Sequence, residues 1–142
     1  MAVSEAEIEA WALAAMRAWV AGDVKAMKKL TQRDFLMLIG STPPQLLDRP
    51  SFLAAMARGF ACTRFALREV IARQHRDAAW FVAGAELDLV LERGAWNGAF
   101  LVSGLWRQSR WPRKWKLADL SLAPLDPDKE RAADLARLQL WK

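Results

Sequence analysis

The sequence predicts an α+β domain, with helices first and a run of long strands after them. Three observations carry that reading. A capped apolar helix fills residues 4–20, and a break at Ala21-Gly22-Asp23 leads through a short second helix into the apolar run 35–39. Two long alternating stretches, 79–91 and 96–108, then flank a glycine-containing turn. Helices grouped ahead of tightly connected strands point to a mostly antiparallel sheet with helices gathered against it.

The elements follow in order. Ser4 and Glu7 form an S-x-x-E capping box, which satisfies two orphan amides at a helix start. Ile8, Trp11, Ala12, Ala15, Trp19 and Val20 then recur at helical spacing and make one wide apolar stripe. Gly22 suits the helix exit, and Asp23 caps a second helix over 24–30. The run 35–39 is short and continuously apolar, which predicts a strand buried on both faces. Residues 40–44 are a loop by composition. Asp48-Arg49-Pro50 opens a third helix over 51–58, stopped at Gly59.

Residues 65–73 read as a strand, but Phe65, Leu67, Val70 and Ile71 mix with charges so that no inner face can be assigned. A two-residue turn at Arg93-Gly94 joins 79–91 to 96–108. It sets Leu91 opposite Trp96, Leu87 opposite Phe100 and Phe81 opposite Trp106. One face then carries only apolar or small residues: Phe81, Ala83, Ala85, Leu87, Leu89, Leu91, Trp96, Phe100, Val102, Gly104 and Trp106. The other is mixed: Trp80, Val82, Glu86, Asp88, Val90, Asn97, Leu101, Ser103, Leu105 and Arg107. A slip by one residue would scramble both faces. After a turn at 109–114, the last strand spans 115–122. Lys114 and Lys116 require water, so simple alternation sends Trp115, Leu117, Asp119 and Ser121 inward. Pro124 ends the domain proper, 1–123. Asp126-Pro127 then starts a helical extension over 124–142, with Ala132, Leu135 and Leu138 on its apolar stripe, packed on its own domain or a partner subunit.

Composition bounds the rest. A chain of 142 residues with 54% hydrophobic content holds one domain with a substantial core. It has eight Trp, no Tyr, one Cys and one His. The single cysteine, Cys62, excludes an internal disulfide framework, and so few soft ligands argue against a transition-metal site or a metal cofactor. No apolar run reaches spanning length, and the acidic N-terminus lacks the basic start of a signal peptide, so the cytoplasm is the simplest compartment. The net charge is +5, and Arg107, Arg110, Arg113, Lys114 and Lys116 equal that whole excess. The basic character is therefore local. Arginine interleaved with Trp106, Trp111 and Trp115 can bind phosphates and stack bases, but a solvated hairpin turn with one exposed indole, Trp111, is the simpler account. Neither a specific nucleic acid nor a membrane is expected as partner. The glycines lack the spacing and strand-to-helix context of a phosphate loop.

The order of helix, Ala-Gly-Asp, short helix, Asp34 and strand resembles the nuclear transport factor 2-like superfamily, in particular its SnoaL-like, ketosteroid-isomerase-like and calcium/calmodulin kinase association-domain-like branches. Trp106, a basic turn and Trp115-Lys116-Leu117 are similar to the closing strands of that family. The likeness spans residues 4–123. It implies a cone-shaped α+β barrel, a curved sheet wrapped around the N-terminal helices, whose pocket opens at one end. On that implied fold the wall is Trp19 (or Trp11), Phe35, Met37, Ala83, Ala85, Leu87, Phe100, Val102 and Trp106, with Asp119 and Ser121 as inner polar groups. The same residues could instead fill a solid core; small Ala85 and Gly104 favour a cavity.

Three functions compete. The first is a binding domain for a small apolar or amphipathic molecule. The second is a SnoaL-like enzyme, a cyclase, hydrolase or isomerase, using Asp119. The third is a structural homodimer. Isomerase chemistry on this fold requires an Asp base near the end of the first strand and a Tyr or acid donor. Here Leu38-Ile39-Gly40 occupies the base region and Tyr is absent, so no catalytic residue can be assigned. His75 sits at a solvated strand end. Glu86 and Asp88 share a face but belong to the outer, ion-pairing surface. That mixed face, Trp80, Val82, Glu86, Asp88, Leu101, Ser103, Leu105 and Arg107, is the expected homodimer interface.

Overall fold

A computed structural model describes residues 2–125 and Arg137, so the expected C-terminal helix lies outside the described residues. Helix α1 spans Glu5–Val20. The Ser4 hydroxyl accepts the Glu7 amide at 3.1 Å, and the Glu7 carboxylate reaches back to the Ser4 amide. Its buried face carries Ile8, Ala12, Ala15, Met16, Ala18 and Trp19 and lies mainly on β3, Ala61–His75. Asp23 caps α2, Val24–Leu30, by accepting the Ala26 amide at 3.0 Å. Strand β1 runs Thr31–Ile39, and a short strand β2, Gln45–Asp48, pairs with it. Asp48 accepts the Ser51 amide at 2.9 Å and starts α3, Arg49–Ala57. The Ser51 hydroxyl, and then its amide, hold the Asp48 carboxyl below its usual value. Strands β4, Ala78–Leu91, β5, Gly94–Gln108, and β6, Trp115–Pro124, complete the chain.

The strands form one curved, open sheet in the order β2-β1-β6-β5-β4-β3. All pairs are antiparallel except β1 with β6. The helices cover one face, and the core lies between them and the sheet. The other face carries no helix among the described residues. This corrects the reading of 35–39 as buried on both sides. Phe35 and Met37 are fully buried, whereas Leu36 and Leu38 point to the uncovered face and are more than 40% exposed.

The β4–β5 hairpin keeps the expected faces but shifts its pairing by two residues. Leu91 opposes Gly94, Leu87 opposes Gly98 and Phe81 opposes Gly104. The two-residue loop is Glu92-Arg93, and Gly94 follows it at φ +116°, a conformation only glycine adopts cheaply. A two-residue shift preserves side-chain parity, which is why the faces survive the wrong partners. Strand β3 resisted assignment for a physical reason. Its ladder is interrupted between Cys62 and Arg64 and again between Arg68 and Ile71. Cys62, Phe65, Leu67, Val70 and Ala72 therefore reach the core without a single alternation.

Candidate functional site

Most of the expected pocket wall is buried core. Trp19, Phe35, Met37, Ala85, Leu87, Phe100, Val102 and Trp106 are each at most 4% exposed, and none lines the apolar cavity or the outer groove described below. Trp19 sits edge-on to Phe52 and Phe60, and its indole N–H donates to the Phe60 carbonyl at 3.3 Å. Trp106 packs on Trp11 with ring centroids 5.6 Å apart, and its buried N–H has no partner among the described residues. Gly104 leaves no vacancy. A methyl built there would lie 2.4 Å from Cε1 of Phe81, whose ring already fills the space. Gly104 thus marks close packing rather than spare volume.

Asp119 and Ser121 are not on the inner face. Trp106 opposes Leu117 while Leu105 opposes Asp119, so Ala118 is an extra residue bulged out of the β5–β6 ladder. The bulge changes the parity of everything after it. Leu117, Leu120 and Leu122 are buried, and Asp119 and Ser121 line a shallow outer groove with Trp80, Val82, Ser103 and Leu105. Partial burial, and then the nearby Asp34 carboxylate, push the Asp119 carboxyl up, while Arg107 pulls it down. The alternation that sent Asp119 inward had no sequence signal for an extra residue.

An apolar cavity does exist, displaced to the end of the cone where β1 and β4 finish and β5 begins. Ile39, Phe60, Leu89, Leu91 and Trp96 line it, with Ser41 from the β1–β2 connection and Gln45 from the start of β2. Its volume is about 330 Å³. Gly59 ends the α3 turn and delivers Phe60 to the rim, where it stacks edge-on with Trp19. Trp96 is held against Phe100 at 4.9 Å. Ser41 donates to the Pro43 carbonyl at 2.8 Å and the Gln45 amide donates weakly to the same oxygen at 3.4 Å. No titratable side chain lines the cavity. Sequence reading placed Leu89, Leu91 and Trp96 on the apolar face but gave them no site. Their clustering depends on where the 40–44 loop and Phe60 fold back.

The SnoaL-like domain family matches residues 8–126. The chain belongs to that family. Among solved structures, an NTF2-like protein from Cytophaga hutchinsonii superposes with a TM-score of 0.78 at 16% identity, covering 87% of this chain and 100% of the other. A CaMKII hub from S. rosetta gives 0.69 at 13% identity over 86% and 97%. A ketosteroid isomerase-like protein from Erwinia carotovora atroseptica gives 0.62 at 20% identity over 84% and 95%. These likenesses establish the nuclear transport factor 2-like fold. No curated protein sequence matches.

The outer sheet face of this SnoaL-like domain holds the expected interface residues. One row crosses all six strands: Leu46, Leu38, Ser121, Ser103, Val82 and Ile71. Beside it lie Leu36, Leu105, Trp80 and Leu101. Leu46 and Ile71, at its two ends, are 64% and 53% exposed. Glu86 and Asp88 share this face, and Asp88 pairs with Arg64 of β3 at 3.0 Å. The true register puts Arg107 at the far end of β5, opposite Ala78.

Cys62 is buried and donates to the Arg64 carbonyl; burial pushes its thiol up to about 11, which makes it a poor nucleophile. No group of three or more His, Cys, Asp or Glu among the described residues could hold a metal ion. No helix among them is long and apolar enough to cross a membrane. The β5–β6 connection leaves Trp111 93% exposed, as expected of the leftover indole.

Proposed function

We propose that this SnoaL-like domain binds a small, uncharged, mainly apolar molecule in the cavity at the open end of its sheet. The carrying observation is the cavity itself, about 330 Å³ with an almost wholly apolar lining. That volume lies at the lower end of small-molecule sites, and such sites orient their ligand with a few polar groups. Ser41 and Gln45 can do so here: the Gln45 carbonyl oxygen accepts no hydrogen bond from a described residue. With no cation in the lining, a carboxylate would lose its hydration uncompensated. A neutral ketone, amide or alcohol fits better than the corresponding acid. Nor does the lining contain a proton donor or acceptor of useful acidity, and Asp119 lies on the opposite side of the sheet. The reading is therefore capture rather than chemistry.

The test is a thermal-shift series of apolar ketones, amides and alcohols beside matched carboxylic acids. Neutral members should raise the midpoint, since a ligand at a hundred times its Kd adds about 2.7 kcal/mol to the native state. Leu91→Trp, which fills the cavity from a half-buried position, should remove the shift and leave the fold intact. Equal shifts from the acids, or shifts that persist in Leu91→Trp, would overturn the reading.

A second element of the proposal is homodimerisation through the outer face. The exposed Leu36, Leu38, Leu46, Ile71 and Leu101 on that face support it, because exposed apolar surface of a few hundred Å² usually marks contact. Kinship of fold with a kinase hub is consistent with self-association. Sedimentation of wild type and Leu101→Glu decides. An unpaired charge buried at a two-fold contact should cost several kcal/mol and split the dimer. A wild type that sediments as a monomer at high micromolar concentration refutes it.

A further inference from the structure

We infer that the β5–β6 loop, at the end of the sheet away from the cavity, is a docking surface for an anionic lipid bilayer. Two independent features meet there. The first is charge. Between residues 107 and 116 there are five cations and no acid, and none of Arg110, Arg113, Lys114 and Lys116 has an ion-pair partner among the described residues. Arg33, from the start of β1, joins Lys114 and Lys116 around a groove of about 400 Å³ beside the loop. The one acid on that groove is Asp34. The second feature is Trp111. At 93% exposure it leaves nearly a whole indole in water at the tip, next to Pro112.

The loop holds this shape itself. The Ser109 amide donates to the Lys114 carbonyl at 3.0 Å, and the Ser109 hydroxyl donates to the Pro112 carbonyl. Residues 110–113 therefore project as a closed tip. Indole prefers the boundary between lipid headgroups and hydrocarbon, where its ring is apolar and its N–H stays wet. Arginine and lysine around it meet the negative surface potential of acidic lipids. The groove places Arg33, Lys114 and Lys116 where a headgroup phosphate would settle beside the ring.

A nucleic-acid strand fits less well. Base-tracking surfaces present successive aromatic platforms along a cationic groove. Here Trp106 and Trp115 are both occupied by Trp11, at 5.6 and 5.3 Å, which leaves a single indole on a convex tip. This departs from the expectation that no membrane is a partner. It concerns a peripheral contact and not a span.

The experiment is co-sedimentation of the full chain with phosphatidylcholine vesicles, with and without phosphatidylserine, at low and high salt. Binding should require phosphatidylserine and fall with salt. Replacing Arg110 and Arg113 together by Ser should weaken it about thirtyfold, since each basic residue near an acidic leaflet is worth roughly a factor of five. Trp111→Ala should weaken binding without moving the melting midpoint, and should remove a blue shift of tryptophan emission seen on adding vesicles. No phosphatidylserine-dependent binding at low salt would overturn the inference. So would binding by Trp111→Ala equal to wild type, or tight retention of single-stranded nucleic acid with no vesicle binding.

Discussion

Replacing Gly104 by Ala tests whether the interior of this domain is full. The added methyl would sit 2.4 Å from Cε1 and 2.9 Å from Cζ of Phe81, and 3.3 Å from the Asp119 carbonyl oxygen. Ordinary contact begins near 3.4 Å, so the Phe81 ring must retreat by about 1 Å. Phe81 is 3% exposed, and the Asp119 carbonyl of β6 hems in the new methyl from its other side, so the strain falls on a buried ring. Overpacking of this kind costs about 1–3 kcal/mol. Urea denaturation at fixed protein concentration should show that loss as a lower midpoint with an unchanged slope. Phe81→Leu made in the Gly104→Ala background should recover part of it, giving a favourable coupling between two touching sites. If Gly104→Ala matches wild type within about 0.5 kcal/mol, or the two substitutions simply add, then space exists at the centre of the sheet and the solid-core description is wrong.

Two other outcomes follow from buried and half-buried polar groups. Trp19→Phe should destabilise more than Trp106→Phe, because Trp19 loses a hydrogen bond to Phe60 whereas Trp106 sheds an unpartnered donor; paired urea melts measure this, and the reverse order would refute it. Asp119→Asn should stabilise the protein at neutral pH. The Asp119 carboxyl is raised in the folded state, so its charged form is penalised there above the folded pKa, and the penalty disappears as the pH falls below 3.8. The gap between mutant and wild-type melting points should therefore close on acidification, and a gap that widens would contradict the assignment.

How much of this was legible in the sequence depends on where regular periodicity held. The Ser4–Glu7 box, the Asp23 and Asp48 caps and the two faces of β4 and β5 obey local rules, and the helix-then-strand order gave the family likeness. Pairing partners in the β4–β5 hairpin were missed because Gly94 takes the positive-φ position after the turn rather than within it. The inner face of β3 was unreadable because Glu69, at φ +50°, sits in an irregular stretch between Arg68 and Ile71. The cavity escaped because it is made by residues distant in sequence, Ile39, Phe60 and Trp96, that only the folded sheet end brings together. Expecting the site at the barrel centre had a physical error in it. Gly104 is small because the Phe81 ring opposite it takes the space, not because the site holds a vacancy.

The bulge at Ala118 bears on how this chain is compared with others. Any aligned sequence whose last strand alternates without interruption must open a one-residue gap at position 118 to keep its inward side chains matched to Leu117, Leu120 and Leu122. An ungapped alignment would instead place Asp119 against an inward position and transfer to it whatever role that position holds. On the β5 side, Leu117 and Asp119 already oppose neighbouring residues, so removing Ala118 would make that ladder regular and leave the faces of the later residues unchanged. Deletion of Ser121 would turn Leu122 outward.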